Sequence, residues 1–153
     1  MNARMSFLKH AATLGPVGYI PIASGTFGTL VAVIFLLVLR PSPAVHLGLA
    51  VFFTVFGTYA SHEAEKLFNK KDPGYIVIDE FAGYLVATLY LPMTAGYYLA
   101  SFILFRVFDI LKPPPARQLQ NIRGGPGVML DDIAAGVMAN LVLVAWRFTA
   151  QSL

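Results

Sequence analysis

Long apolar runs, separated by short polar and proline-rich breaks, are the feature that most constrains the fold of this chain. Of its 153 residues, 57% are hydrophobic and only 12% are charged, and the mean hydropathy is +0.67. Soluble domains usually carry about a quarter charged residues, so the polar surface here is too small to cover a water-soluble globule of this size. The sequence therefore predicts a single membrane-embedded domain over residues 1–153, with an N-terminal cytoplasmic or interfacial segment over residues 1–23.

The apolar runs predict an all-α fold, an integral membrane bundle of about five short hydrophobic helices. The predicted helices cover residues 25–39, 44–68, 79–91, 94–111 and 128–148. Prolines end two of them, because proline cannot continue a helix: Pro41 follows the first and Pro113 follows the fourth. Crossing about 30 Å of hydrocarbon takes about 20 residues, so the short third helix must draw its first residues, Asp79 and Glu80, to the hydrocarbon boundary.

Basic residues collect on one side of this predicted bundle. With the N-terminus in the cytoplasm, most lysines and arginines fall on the cytoplasmic side, and only Arg40 and Arg147 fall on the other. Such clusters between apolar runs indicate topology or an anionic lipid surface rather than nucleic acid. The same alternation places the polar segments 24–29, 72–80 and 105–136 together at the cytoplasmic face.

Five of the eight acidic residues lie at the cytoplasmic ends of predicted helices three, four and five. They are Asp79, Glu80, Asp109, Asp131 and Asp132. Carboxylates from several helices that face one space form sites for hard divalent cations, whereas the lack of cysteine excludes thiolate metal sites and cysteine nucleophiles. The alternative is that the acidic pairs only complement the dipoles of the helices that they begin. Asp109 lies near the end of its helix, where the dipole disfavours an anion, so capping does not explain it.

Two basic residues flank Asp109 at helical spacing. Arg106 lies three residues before it and Lys112 three residues after it, so the three side chains project from overlapping faces. Exposed ion pairs along one helix are the alternative, and they would contribute only a few tenths of a kcal/mol. Cations beside carboxylates suit a phosphate site, where carboxylates hold a metal and Lys or Arg meets the phosphoryl oxygens. The prolines that follow would hold Arg117 close to the same surface.

Two segments align without gaps and place a glycine one helical turn after an aspartate. In "GYIVIDEFAG" (74–83) and "GVMLDDIAAG" (127–136), Asp79 matches Asp132 and Gly83 matches Gly136. An internal repeat and chance similarity both explain this match. In either case, small residues at this spacing let two helix backbones approach, which would bring the carboxylates of both helices to one ion.

Two further polar features are compatible with a phosphate site. In "SGTFGT" (24–29), the hydroxyls of Thr26 and Thr29 and the backbone N–H groups could form an anion cradle, although Ser or Thr is also an ordinary N-cap. His62 could handle a proton, although its neighbours could equally form a solvated helix end.

The ordered set "SGTFGT", "GYIVIDEFAG", "FRVFDILKPPPAR" and "GGPGVMLDDIAAG" resembles bacterial phosphatidylglycerophosphatase A over residues 24–144. The resemblance implies a magnesium-dependent, all-helical phosphatase of the bacterial inner membrane that removes the terminal phosphate of phosphatidylglycerophosphate. It also implies an active site that contains the five acids together with Arg106, Lys112 and Arg117.

The hypothesis from the residues is compatible with this resemblance. The five acids would bind one or two Mg²⁺ ions and, with Lys112, act in catalysis, while the substrate phosphate is bound by Arg106, Arg117, Thr26 and Thr29. A remaining carboxylate or His62 would take the proton of the attacking water. The alternatives are an ion or proton transporter and a non-catalytic membrane subunit. A transporter needs polar groups along the whole path, and the outer ends of these helices are nearly free of them.

Overall fold

Residues 3–151 are described by a computed structural model, and they form helices joined by short loops. The helices are α1 (Ala3–Ala12), a 3₁₀ helix (Val17–Tyr19), α2 (Ser24–Leu39), α3 (Pro43–Phe68), α4 (Ile78–Ala87), α5 (Ala95–Leu111), α6 (Ala116–Leu119) and α7 (Gly125–Gln151). No strand occurs in residues 3–151. The prediction of an all-α fold is therefore confirmed.

The five predicted helices correspond to α2, α3, α4, α5 and α7, with one clear change of length. Helix α4 ends at Ala87 rather than at residue 91. The chain turns there because Tyr90 takes a left-handed φ of +58°, and the amide of Leu91 donates to the carbonyl of Thr88. Helices α1 and α6 were not predicted. Helix α1 packs on α3 and buries Leu8 and Ala12, so part of the predicted N-terminal segment belongs to the packed structure.

The prediction of a five-helix membrane bundle is only partly supported. Two helices, α3 and α7, are long and apolar enough to cross a bilayer, and α2 is a shorter apolar helix. Less than half of the apolar stretch of either long helix is buried inside the protein. Large apolar side chains of α3, such as Val51 and Val55, are therefore exposed on the outside. Apolar helices whose side chains face outward indicate a membrane protein.

Helix α4 lies at the centre of the structure. It packs against α2, α3, α5 and α7, and most of its residues are buried. Phe81, Tyr84 and Leu85 belong to the main apolar core, and the Tyr84 hydroxyl donates to the carbonyl of Tyr98 at 2.9 Å. Because α4 is enclosed on several sides, the side chains of its first turn are held in fixed positions.

The contact between α4 and α7 depends on two glycines. A Cβ added to Gly136 would overlap the carbonyl oxygen of Gly83, and one added to Gly83 would lie 2.8 Å from the carbonyl oxygen of Asp132. The two backbones therefore touch without an intervening side chain. The predicted close approach of these helices is confirmed, and it places the start of α4 beside the first turns of α7.

Replacing Gly136 by alanine is expected to lower the free energy of unfolding by about 1–3 kcal/mol, because the new methyl group forces two packed backbones apart. Gly48→Ala is the matched control, since a Cβ on Gly48, also within a helix, meets nothing within 4 Å. That control should leave stability unchanged or raise it slightly. Denaturant titration of both variants in the same detergent checks the difference. Equal stability of Gly136→Ala and wild type would show that the helices do not need this contact.

Candidate active site

Three carboxylates from two helices meet at the α4–α7 contact. Asp79 and Glu80 lie in the first turn of α4, and Asp132 lies on α7. One oxygen from each of the three groups lies within 4.8 Å of the other two. Asp79 is 6% exposed and Asp132 is 3% exposed, so solvent does not separate these charges. We refer to Asp79, Glu80 and Asp132 as the acidic triad.

The acidic triad fits a hard metal cation. Glu80 Oε2 and Asp132 Oδ2 are buried and accept no hydrogen bond from residues 3–151. Buried carboxylate oxygens without a partner are costly, and three neighbouring carboxylates repel one another. A divalent cation would offset both costs, and Mg²⁺ and Ca²⁺ prefer oxygen ligands of this kind. These residues could therefore hold a metal ion.

Two cations join the remaining acids to the acidic triad. Lys112 Nζ forms an ion pair with Asp131 and lies 3.6 Å from Asp109 Oδ1 and 4.0 Å from Asp132 Oδ1. Arg106 Nη1 lies 2.6 Å from Asp109 Oδ2 and 3.8 Å from Glu80 Oε1. Lys112 and Arg106 thus connect carboxylates from α4, α5 and α7.

Lys112 stays charged in these surroundings. Burial lowers the pKa of its ammonium group, but the hydrogen bond to Asp131 and the negative charges of Asp132, Asp131 and Asp109 raise it by more. The net result is a pKa above the ordinary value for lysine. Lys112 is therefore a fixed positive charge at neutral pH, suited to meet an anionic substrate.

The sequence hypothesis treated all five acids as equivalent metal ligands, and the structure divides them into two groups. Asp79, Glu80 and Asp132 are mutually within reach of one ion. Asp109 and Asp131 are instead ion-paired to Arg106 and Lys112. A direct bond from Asp109 or Asp131 to a metal stays a prediction.

The other predicted site residues differ in what surrounds them. Arg117 is exposed on α6, and no side chain in residues 3–151 pairs with its guanidinium group. Thr26 is half-buried in the first turn of α2, whereas the buried Thr29 hydroxyl already donates to the carbonyl of Gly25 at 2.9 Å. His62 is exposed on α3, where its ring lies against Gly124.

Gly25 is a residue of the site that the sequence reasoning missed. A Cβ at this position would overlap Glu80 Oε1 and would lie 3.1 Å from Arg106 Nη1. The start of α2 therefore lies directly on the site, and Ser24 fixes it there by donating to the carbonyl of Gly74 at 2.7 Å. The sequence signal was the glycines of "SGTFGT", whereas the prediction for this segment was an anion cradle of hydroxyl and backbone N–H groups.

Comparison with known proteins identifies the family. The profile of the phosphatidylglycerophosphatase A family matches residues 10–147. The chain belongs to this family. The resemblance inferred from the four sequence motifs is therefore confirmed.

Relatives of the chain include two proteins named phosphatidylglycerophosphatase A. The protein from Escherichia coli strain K12 is 36% identical over 129 residues, which cover 82% of this chain and 75% of the relative. The protein from Haemophilus influenzae is 33% identical over 158 residues, which cover 92% and 94%. A Bacteroides thetaiotaomicron protein, provisionally named phosphatidylinositol-3-phosphatase, is 37% identical over 140 residues, which cover 86% and 87%. No solved structure matches the chain.

Membership in the phosphatidylglycerophosphatase A family makes the chain an enzyme of the phosphatase class. The alternatives of a transporter and a non-catalytic subunit lose their support for the same reason. The two apolar helices and the bacterial relatives together indicate a membrane protein.

Proposed function

We propose that this chain is a Mg²⁺-dependent lipid phosphatase that converts phosphatidylglycerophosphate into phosphatidylglycerol and phosphate at the cytoplasmic face of the bacterial inner membrane. The substrate is inferred from the family and from the two relatives named phosphatidylglycerophosphatase A. The single observation that carries the chemistry is the acidic triad, which has buried, unpartnered oxygens and lies beside Lys112 and Arg106.

Asp79, Glu80 and Asp132 are the residues that would hold Mg²⁺, because each offers a carboxylate oxygen to one shared position. When bound, the metal would polarise a phosphoryl oxygen and lower the pKa of a water molecule. The tight packing of α4 on α7 would keep the three ligands in place without reorganisation. Asp109 and Asp131, which the sequence hypothesis also made ligands, would act chiefly by holding Arg106 and Lys112 in position.

Lys112 and Arg106 would offset the negative charge of the phosphoryl group. In the hydrolysis, the oxygen of water bonds to phosphorus, the bond between phosphorus and the terminal glycerol oxygen breaks, and a proton passes to that glycerol oxygen. Charge collects on the phosphoryl oxygens during this exchange, and fixed cations in a partly dry site stabilise it. Lys112 is only 24% exposed and Arg106 15%, so bulk water screens them weakly.

Other groups have secondary roles in this proposal. Arg117, exposed and unpaired within residues 3–151, would reach an incoming phosphate, and Thr26 would add a hydroxyl. Thr29 would have to release the carbonyl of Gly25 before it could donate to a phosphate. The proton of water would go to a carboxylate of the site or to His62.

The proposed placement in the membrane rests on the apolar helices and on the distribution of basic residues, and it suits the substrate. The chain, as one domain over residues 1–153, would embed α3 and α7 in the bilayer with its N-terminus in the cytoplasm. The acyl chains of the lipid would then stay in the bilayer while the head group enters the site at the water–lipid boundary. Little further binding of the glycerol backbone would be needed.

The test of this proposal is phosphate release by the purified protein in mixed micelles that contain phosphatidylglycerophosphate. We expect steady release with Mg²⁺, loss of release to background after EDTA, and recovery when excess Mg²⁺ is restored. Full activity in EDTA would reject the proposed requirement for a metal ion. No release with Mg²⁺ present would reject phosphatidylglycerophosphate as the substrate.

The relative provisionally named phosphatidylinositol-3-phosphatase supplies the competing substrate for this assay. Both lipids carry a phosphate monoester on a head group, so the same site chemistry could act on either. We expect kcat/KM to be higher for phosphatidylglycerophosphate than for phosphatidylinositol 3-phosphate. A higher kcat/KM for phosphatidylinositol 3-phosphate would leave the phosphatase activity in place but would reject phosphatidylglycerophosphate as the preferred substrate.

A further inference from the structure

A basic groove of about 420 Å³ lies between the C-terminal end of α3 and the loop that precedes α7. Its charged lining consists of Lys66, Lys70, Lys71, Arg123 and Glu65. Four cations thus face one anion in a single concave surface. We refer to this surface as the basic groove.

The charges of the basic groove are only partly neutralised by the protein. Lys66 pairs with Glu63 at 2.8 Å, and the Lys71 ammonium donates to the carbonyl of Gln120 at 3.1 Å, which leaves the charge of Lys71 uncompensated. Lys70 and Arg123 have no side-chain partner in residues 3–151. Neighbouring like charges without counter-charges repel one another, and an anion in the groove would remove that cost.

The lone carboxylate of the groove, Glu65, offsets only one of the four positive charges. Glu65 Oε1 also accepts a hydrogen bond from the backbone amide of Asp72 at 2.7 Å, which holds the loop after α3. The bond from Lys71 to Gln120 ties this loop to the segment before α7. The two walls of the groove are therefore fixed to each other before any ligand binds.

The basic groove is distinct from the acidic triad and its two cations, none of which line it. It nevertheless belongs to the same end of the molecule, since Lys71 and Asp72 lead from it toward α4. Under the membrane placement proposed above, this end lies at the cytoplasmic surface. The groove would therefore face anionic lipid head groups.

An exposed stripe of α3 runs from the apolar surface to the groove. Phe52, Val55, Tyr59, His62 and Lys66 follow one another at spacings of three and four residues, and all five are exposed. Residues at this spacing share one face of a helix. The first three offer apolar surface, with Val55 67% exposed, and the last lines the groove. This continuity of apolar surface with cationic groove matches a phospholipid rather than a free anion.

We propose that the basic groove binds the phosphate of an anionic phospholipid that is not the molecule being hydrolysed. Lysine and arginine would meet the phosphate oxygens, and the acyl chains would lie along the exposed stripe of α3. The inference rests on the proposed placement in the membrane and does not depend on the reaction. Its role would be to hold the enzyme at an anionic membrane surface with the active site at the head-group level.

The test measures lipid binding by the full chain in neutral detergent, without substrate. Native mass spectrometry is used to obtain dissociation constants for phosphatidylserine and for phosphatidylcholine. We expect the wild type to prefer phosphatidylserine. The double variant Lys70→Gln/Arg123→Gln should bind phosphatidylserine about 25-fold more weakly, since each cation near a lipid surface contributes about fivefold.

The double variant Arg40→Gln/Arg147→Gln is the matched control, because it removes the same charge from two arginines that lie outside the groove. Its affinity for phosphatidylserine should stay within twofold of wild type. Equal weakening in both double variants, or no preference for phosphatidylserine in the wild type, would overturn the proposal. Inorganic phosphate that binds the wild type as tightly as phosphatidylserine would also overturn it, since the groove would then take the free anion.

The proposed reaction fails separately from this inference. A protein that binds phosphatidylserine through Lys70 and Arg123 but releases no phosphate from phosphatidylglycerophosphate would refute the proposed function and support the lipid site. A protein that releases phosphate but does not bind phosphatidylserine through the groove would support the proposed function and refute the lipid site.

Discussion

Asp132→Asn is expected to reduce kcat for phosphate release on the order of a thousandfold, the upper range for loss of one strong electrostatic stabiliser in an active site. The change keeps the size of the side chain and removes its negative charge. Asp132 is 3% exposed and shares one position with Asp79 and Glu80, so its loss removes one of the three carboxylates that a single ion could reach. The effect is measured as kcat for phosphate release at saturating Mg²⁺. The unfolding transition of the same sample shows whether the variant is folded.

The matched control for this prediction is Glu63→Gln. Glu63 is also a carboxylate, but its partner is the exposed Lys66 and it lies outside the acidic triad. Its loss should change kcat by less than twofold. If the Asp132→Asn variant keeps more than a tenth of the wild-type kcat, Asp132 does not have the proposed role in the active site.

Lys112→Gln is expected to lower kcat by about a hundredfold, because the variant loses the cation that faces three aspartates and would face the phosphate. The same change should lower the free energy of unfolding by about 3 kcal/mol, since Asp131 would be left buried without its partner. Steady-state kinetics and denaturant titration of the same preparation measure the two effects. Arg40→Gln, at the exposed C-terminal end of α2 and away from the acidic triad, is the control and should leave kcat unchanged and alter the free energy of unfolding by less than about 1 kcal/mol.

A second variant separates the structural role of Lys112 from its catalytic role. In Lys112→Gln/Asp131→Asn the unpaired buried charge is gone, so stability should return toward the wild-type value. Catalysis should not return, because the cation that meets the phosphate is still missing. Recovery of wild-type kcat in the double variant would mean that Lys112 only balances Asp131.

The sequence was sufficient to predict the helices whose ends are set by local chemistry. Ser42 shows why: its hydroxyl accepts a hydrogen bond from the amide of Val45 and Pro43 occupies the first turn, so α3 begins where these residue types favour a start. Helix α1 was missed for the opposite reason. Its sequence mixes polar and apolar residues without a clear apolar face, and it is held by packing of Leu8 and Ala12 on α3.

The candidate site was predictable only as far as spacing along the chain extends. Arg106, Asp109 and Lys112 stand three residues apart, so their ion pairs within α5 and its end could be expected. The pairing of Lys112 with Asp131 could not, because it depends on how α5 packs on α7. The division of the acids into a triad and two paired aspartates follows from this packing. Spacing alone treats all five as equivalent.

Gly25 was not predicted as a site residue for a similar reason. A glycine in the first turn of a helix can serve as an ordinary flexible start or can admit a neighbour, and its local sequence does not distinguish these. The neighbour is Glu80, which lies on another helix and 55 positions further along the chain. Only the placement of α2 against α4 shows that the glycine makes room for a carboxylate.

Direct measurement of metal binding tests the central claim, that carboxylates from α4 and α7 hold one divalent cation between them. Mn²⁺ can stand in for Mg²⁺ and is followed by electron paramagnetic resonance in a titration of the purified chain, with Asp79→Asn/Asp132→Asn and Glu63→Gln titrated in parallel. The account predicts saturable Mn²⁺ binding that Mg²⁺ displaces in the wild type and in Glu63→Gln, and its loss in the folded double variant. Unchanged Mn²⁺ binding in that double variant, or none in the wild type, would contradict it.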